Sequence, residues 1–283
     1  MVHVPPAVTT ALPPLHPEPP RGRVFEGTRT VRSTDVTPGG RLRLDALARA
    51  LQDVAEDDVA DTGWRAPYGW LLRRCAVTVH RYPEFGARLR LRTFCSATGP
   101  RWAQRTTTVA GPQGPLIQSV ALWAAVDLAT GQPVPLGDEF FRHYGEATQG
   151  RKASARLSLP RPEPDAAAQA ARPARGARGA RDWPLRAADF DTAGHVNNAI
   201  AWAAVEDLLA TQDWLPSVAE LEYHRPILPG CQPRLLAGPD RPAAADGPDG
   251  PDGPDGRNRY LWLLEGSERL ATAGLYSAGM VPR

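Results

Sequence analysis

The sequence predicts an α+β protein in which a helix packed against an antiparallel sheet occurs twice in tandem. Three observations carry that reading. The halves repeat each other: Asp35 and Gly40 return as Asp189 and Gly194 at an offset of 154, and His80-Arg81 and Gly86 return as His224-Arg225 and Gly230 at an offset of 144. A deletion of about ten residues between the helix and the next strand reconciles the two offsets. Each half carries one stretch with apolar residues at three- and four-residue steps, followed by alternating or aromatic-rich runs. Between them lies an Ala/Arg/Pro/Gly-rich segment, 147–181, which reads as a basic flexible linker.

Residues 1–22 are proline-rich and lack periodicity, so a disordered or polyproline-like tail is expected there. In the first unit, 23–146, Leu44, Leu47, Leu51, Val54 and Ala55 predict an amphipathic helix over 44–60. Strands are expected at Cys75–Val79, Leu89–Thr93, 102–109 and 116–126. In the second unit, 182–283, Trp202, Val205, Leu208 and Leu209 mark the matching helix, and strands follow at 218–224, 258–264 and 269–277. Pro-Asp-Gly triplets within 238–256 predict a mobile loop between two strands.

With 283 residues, 42% of them apolar, the chain has material for two small cores. Cys75, Cys95 and Cys231 are an odd count without metal-ligand spacing, which points to a reducing compartment and to no metal site. The N-terminus has no basic segment leading into an apolar stretch, and no run of about 18 apolar residues occurs, so a cytoplasmic protein without a membrane span is expected. A net charge of +2 favours neither nucleic acid nor membrane as a partner. Between Arg151 and Arg186, however, nine Lys/Arg face three carboxylates, and Arg88, Arg90 and Arg92 alternate along one strand face. Either feature suits an acidic partner, although a solvated face is the default reading of both.

The richest local signal is Asp189-Phe-Asp191-Thr-Ala-Gly194-His195-Val-Asn197-Asn198, an acid and an imidazole four residues apart just before an apolar helix. It resembles the D-x-D-x-x-G-H-V-N-N signature of hotdog-fold thioesterases at every specified position. Glu222-Tyr-His-Arg-Pro-Ile-Leu-Pro-Gly230 is similar to the E-Y-R-R segment of the acyl-acyl carrier protein (acyl-ACP) thioesterases. Over residues 25–283 the chain thus resembles a bacterial-type member of that family, whose single chain holds two hotdog units, each a sheet wrapped around a central helix.

The resemblance implies a cofactor-free hydrolase of fatty acid biosynthesis, cleaving fatty acyl-ACP to free fatty acid with the acidic carrier protein as partner. Asp191 would be the general base or attacking carboxylate, with His195 and Asn197 as further catalytic candidates. Gly194, Val196 and Asn198 would contact substrate, and the helix N-terminus would serve as oxyanion hole. Asn197 or Asn198 is equally a helix N-cap. Ala193 stands where the plant enzymes carry Asn, and Pro226 and Ile227 where they carry Glu-Cys, so only Asp191 and His195 transfer from the plant network. An acyl-CoA thioesterase and a non-catalytic acyl-binding module are the alternatives, and a homodimer is compatible with any of them.

The repeat adds a constraint, because Thr37 and Arg41 occupy the positions of Asp191 and His195 in the first half. One active site per chain is expected, with the first half walling the acyl pocket. The paired His80 and His224 read as scaffold, Glu206 as a solvated or structural carboxylate, and Cys231 as non-catalytic.

Overall fold

The computed structural model describes residues 12–163, 180–239, 241–242 and 257–277. Its strands are β1 (Phe25–Thr30), β2 (Gly69–Val79), β3 (Arg88–Thr98), β4 (Trp102–Gly111), β5 (Gly114–Val126), β6 (Ala180–Asp182), β7 (Val218–Tyr223), β8 (Arg234–Ala237), β9 (Arg241–Pro242), β10 (Arg257–Glu265) and β11 (Glu268–Ser277). All join one sheet in the order β1-β3-β4-β5-β2-β7-β11-β10-β8-β6, with β9 paired to β10. The order reads as five strands and their five counterparts on either side of the β2–β7 junction. The predicted α+β tandem is therefore observed. Its helices are α1 (Leu44–Asp61), α2 (Asp138–Tyr144) and α3 (Asn198–Leu209).

The repeat extends to individual hydrogen bonds around the two turns. Arg32 N–H donates to Asp35 Oδ2 at 2.9 Å, and Arg186 N–H donates to Asp189 Oδ2 at 2.8 Å. The next turn closes through Thr37 N–H to Arg41 O in the first unit and Asp191 N–H to His195 O in the second. Gly40 and Gly194 hold φ of +85° and +76° in those turns, and a Cβ at either would meet no atom within 4 Å. Glycine is needed there for its left-handed backbone, not for space. His80 and His224 also match: each ring bonds a strand side chain 3.0 Å away, Gln118 and Thr272 respectively. Repetition of that contact supports a scaffold role for both.

In α1, burial of Leu44, Leu47, Ala50 and Val54 follows the helical period. In α3, Ala199, Ala201, Trp202, Ala204, Val205, Leu208 and Leu209 are all buried, as in a helix surrounded by protein. The two helices pack together against the sheet, meeting Leu91, Val109, Ile117, Leu221, Leu263 and Leu275 in one core. Each such buried side chain contributes about 1.5–3 kcal/mol. Among the described residues no helix is long and apolar enough to cross a membrane.

Two stretches differ from the sequence expectation. Residues 12–22 have no helix or strand, yet Glu18 pairs with Arg92 of β3 and the Pro14 carbonyl accepts from Gln104. Residues 1–11 lie outside the described residues. Likewise 147–163, expected as the start of a flexible linker, forms a strap across the face of the sheet opposite the helices. Ala153 N–H bonds Thr98 O, Arg74 bonds Arg156 O at 3.2 Å, and Trp102 and Trp262 donate to Ala153 O and Pro160 O. Sequence composition cannot show backbone groups satisfied by distant side chains, which is what orders this segment. Residues 164–179 and most of 238–256 lie outside the described residues.

Beneath the strap, Glu220 and Glu222 alternate with the core residues Ala219 and Leu221 of β7, and both carboxylates are fully buried. Glu222 Oε1 accepts from the Ser158 and Leu159 N–H groups. Glu220 has Arg74 at 3.7 Å, and burial pushes its carboxyl up from 4.5 to about 7. A folded-state value above the unfolded one favours the native state most below about pH 4.5, and that contribution is lost as pH rises through 7. Wild-type stability measured by urea unfolding should fall between pH 5 and 7, and Glu220→Gln is expected to remove that fall and to gain about 1–3 kcal/mol at pH 8. Parallel pH profiles for the two proteins would refute this.

Candidate functional site

Asp189-Phe190-Asp191 leaves a single 3-10 turn, closes the glycine turn, and enters α3 at Asn197. Asn197 is the N-cap: its Oδ1 accepts from Ala199 N–H at 2.9 Å. The Asn197 side-chain oxygen thus takes the capping role that the sequence offered beside the catalytic one. The start of the helix is tied to the sheet by Tyr223, whose hydroxyl donates to Asn198 O at 2.9 Å, and by Val196 N–H, which donates to Ile227 O.

Two spaces meet at this helix start. The larger, of about 420 Å³, is walled largely by the first unit: Val59 of α1, Trp70 and Trp123 of the sheet, and Phe140 and Tyr144 of α2. Its far wall is braced by Asp58, fully buried, whose carboxylate holds Arg23 and, at 2.6 Å, Arg105. The smaller, about 110 Å³, is a cleft between Trp70–Arg73 of β2 and His195, Val196, Tyr223, Arg225 and Ile227 of the second unit. Trp70, Asp191 and Asn198 line both spaces and so stand at their junction.

Asp191 is half-buried there. Its Oδ1 accepts from Ala193 N–H at 2.9 Å, while Oδ2 has no protein partner among the described residues. His195 lines the same cleft, and among the described residues no hydrogen bond or ion pair joins it to the Asp191 carboxylate. Val196 and Asn198 also line the cleft, whereas Gly194 is exposed and its N–H donates to Asp191 O within the turn. Cys95 lines the large cavity, but burial pushes its thiol up to about 12, which rules out a ready thiolate. Cys231 is also raised, by burial first, as befits its non-catalytic reading.

The counterpart position in the first unit is filled. Glu206 of α3 reaches the start of α1, where Oε1 accepts from Leu44 N–H at 2.6 Å and from Arg41 at 3.0 Å, and Oε2 accepts from Arg41 at 2.6 Å. Sequence reasoning left Glu206 as solvated or structural; it is structural, and across the two halves. At the second helix start, the residue 154 positions before Glu206 is Gln52, which lines the large cavity beside Asn198. No protein acceptor for Asn198 N–H is found among the described residues. The offset of 154, applied to Glu206, was the signal that could have found Gln52. Nothing in the local sequence marked Trp70, Arg73 or Tyr144.

Residues 22–144 match the family model of the acyl-ACP thioesterase N-terminal domain. Over 215 residues the chain is 28% identical to an uncharacterized protein of Mycobacterium tuberculosis, covering 75% of this chain and 81% of that one. Solved structures with the same double hotdog fold include a Lactobacillus plantarum protein solved under the name oleoyl thioesterase (TM-score 0.73, 17% identity, 92% of this chain and 98% of that one). They also include the 12:0-ACP thioesterase of Umbellularia californica (0.69, 20%, 89% and 93%). A third is an acyl-ACP thioesterase of Bacteroides thetaiotaomicron (0.64, 16%, 90% and 98%).

Two stability tests follow from the geometry. Asn197→Ala should cost about 1 kcal/mol by removing the cap. Glu206→Ala should cost about 3 kcal/mol or more, since it strands the Arg41 charge and the Leu44 N–H. Urea midpoints measure both, and a Glu206→Ala protein as stable as the wild type would show the ion pair to be idle.

Proposed function

From the match of residues 22–144 to the acyl-ACP thioesterase N-terminal domain and a double hotdog fold over the described residues, we propose that this chain is a thioester hydrolase that cleaves fatty acyl-ACP to free fatty acid and carrier, using one site per chain. The observation that carries the reading is an Asp191 carboxylate oxygen and an Asn198 N–H, neither with a protein partner among the described residues, side by side at the mouth of an apolar-walled cavity.

Hydrolysis of a thioester needs an activated nucleophile on one face of the carbonyl and donors aimed at the oxyanion on the other. The acyl chain lies in the cavity, whose size falls within the range of about 300–1,000 Å³ usual for small-ligand pockets. Its carbonyl then sits near Asn198, whose N–H, with the positive end of the α3 dipole, polarises it. Asp191 Oδ2 takes the proton of the attacking water, and His195 orients the thioester from the cleft side. Glu206 supports the oxyanion assignment: at the equivalent helix start an anionic oxygen is bound by the equivalent N–H, that of Leu44. The same carboxylate fills the first-half site, and Thr37 offers no base there, which supports a single site.

The acyl-CoA alternative rests on Ala193, which departs from the plant pattern. Thiol release from acyl-ACP and acyl-CoA of matched chain length separates the two. Asp191→Asn is expected to lower the rate ~100- to 10,000-fold with either carrier that serves. An undiminished rate would remove Asp191 from the mechanism, and no release from any acyl thioester by the wild type would leave a binding module.

A further inference from the structure

The internal repeat supplies a partner for the start of α3. Leu44 N–H and the Glu206 carboxylate are joined in the first unit, and the offset of 154 carries Leu44 to Asn198 and Glu206 back to Gln52. The contact between α1 and α3 therefore has two equivalent ends. At one, a carboxylate sits on the Leu44 N–H; at the other, the amide of Gln52 stands at the place of that carboxylate. Gln52 and Asn198 line two spaces together, the large cavity and a small pocket of about 20 Å³ that also meets Leu51, Trp202 and Tyr223. Asp191 lines the first of these as well, so acid, helix start and amide share one space.

Local bonding fixes which end of the amide is left over. Gln52 Nε2 donates to Glu56 Oε1, one turn further along α1, at 3.2 Å. A carboxylate only accepts, so Glu56 takes the NH2 end, and Oε1 has no protein partner among the described residues. Arg105 lines both spaces too, but its guanidinium is held by Asp58 and Thr93. Gln52 is half-buried, and an acceptor in such a place needs a donor. A carbonyl oxygen cannot stabilise an oxyanion, so Gln52 Oε1 does not belong to the oxyanion hole. It can accept a proton of a water.

We propose that Gln52 holds the attacking water, as a catalytic residue that the first unit contributes to the site of the second. The assignment rests on the thioesterase reading. The water donates one hydrogen to Gln52 Oε1 and the other to Asp191 Oδ2, which leaves a lone pair for the carbonyl carbon. As the C–O bond forms, Asp191 takes its proton, and the carbonyl electron pair moves to the oxygen at the Asn198 N–H. Collapse of that oxyanion breaks the C–S bond, and Asp191 returns its proton to the leaving sulfur, giving acid and thiol. The hydrogen on Gln52 stays with the acid. Fixing the water in advance removes entropy from the barrier. A neutral side chain is required, because in the first unit the anionic one binds the helix start itself.

The test is steady-state thiol release from medium-chain acyl-ACP and acyl-CoA by the wild type, Gln52→Met and Gln52→Glu. Met keeps the length and removes the acceptor, so kcat is expected to fall ~10- to 100-fold while KM stays within about twofold. Glu restores the carboxylate of the other unit, which would compete with the thioester carbonyl for the Asn198 N–H and raise KM about tenfold or more. Urea midpoints, expected to match the wild type, separate these changes from misfolding. KM does not depend on the folded fraction, so the Gln52→Glu result stands even for a destabilised protein. A wild-type kcat in Gln52→Met, or a loss confined to KM, overturns the water-holding role and leaves the hydrolase reading intact. A wild-type KM in Gln52→Glu overturns the placement of residue 52 against the start of α3. A wild type that cleaves neither thioester ends the hydrolase reading and this role with it.

Discussion

The pairing of β2 with β7 is the constraint on which the rest of this molecule depends. Five residue pairs, from Arg74 with Glu222 to Thr78 with Val218, convert two five-stranded sheets into one. Left apart, each unit would present an open sheet edge. Joined, they put Trp70–Arg73 of the first unit directly beside Tyr223–Ile227 of the second, so the cleft belongs to neither half alone. The same junction stacks α1 on α3 and thereby lets first-unit residues wall a cavity whose mouth is set by Asp191 and Asn198. It also buries Glu220 and Glu222 on the far face, which is why Arg74 and the strap are needed there.

The two halves show one backbone put to two uses. Their turns, capping carboxylates and glycine conformations coincide bond for bond, while three side-chain differences divide the labour: Thr37 against Asp191, Arg41 against His195, and Gln52 against Glu206. In the first unit the helix start is spent on an internal ion pair that fastens α1 to α3. In the second it faces the cavity. Under the proposed function, stability and chemistry would be drawn from the same structural element, in different copies.

Much of this was legible in the residues. The helix expected over 44–60 runs from Leu44 to Asp61, because its apolar period is strong, and the strands expected at Cys75–Val79 and Leu89–Thr93 are the alternating parts of the longer β2 (Gly69–Val79) and β3 (Arg88–Thr98). The Asp189–Asn198 turn was readable because glycine and capping residues act locally. Illegible features were long-range. The strap over 147–163 looks like low-complexity linker until Glu222 and two tryptophans are seen to hold its backbone. The short α2, source of Phe140 and Tyr144, has too few turns to show a period. Glu206 looked idle because its partners lie more than 160 positions away.

That Glu206 contact also bears on turnover. A carboxylate seated on a helix start and gripped on both oxygens by an arginine is a picture of how a fatty acid product would lodge if the second site were built like the first. There the permanent cation is replaced by the His195 imidazole and the plugging acid by the neutral Gln52. Such a site can hold an oxyanion for the lifetime of an intermediate and still let the finished carboxylate go. On the proposed reading, the first copy holds permanently the kind of carboxylate that the second would have to release.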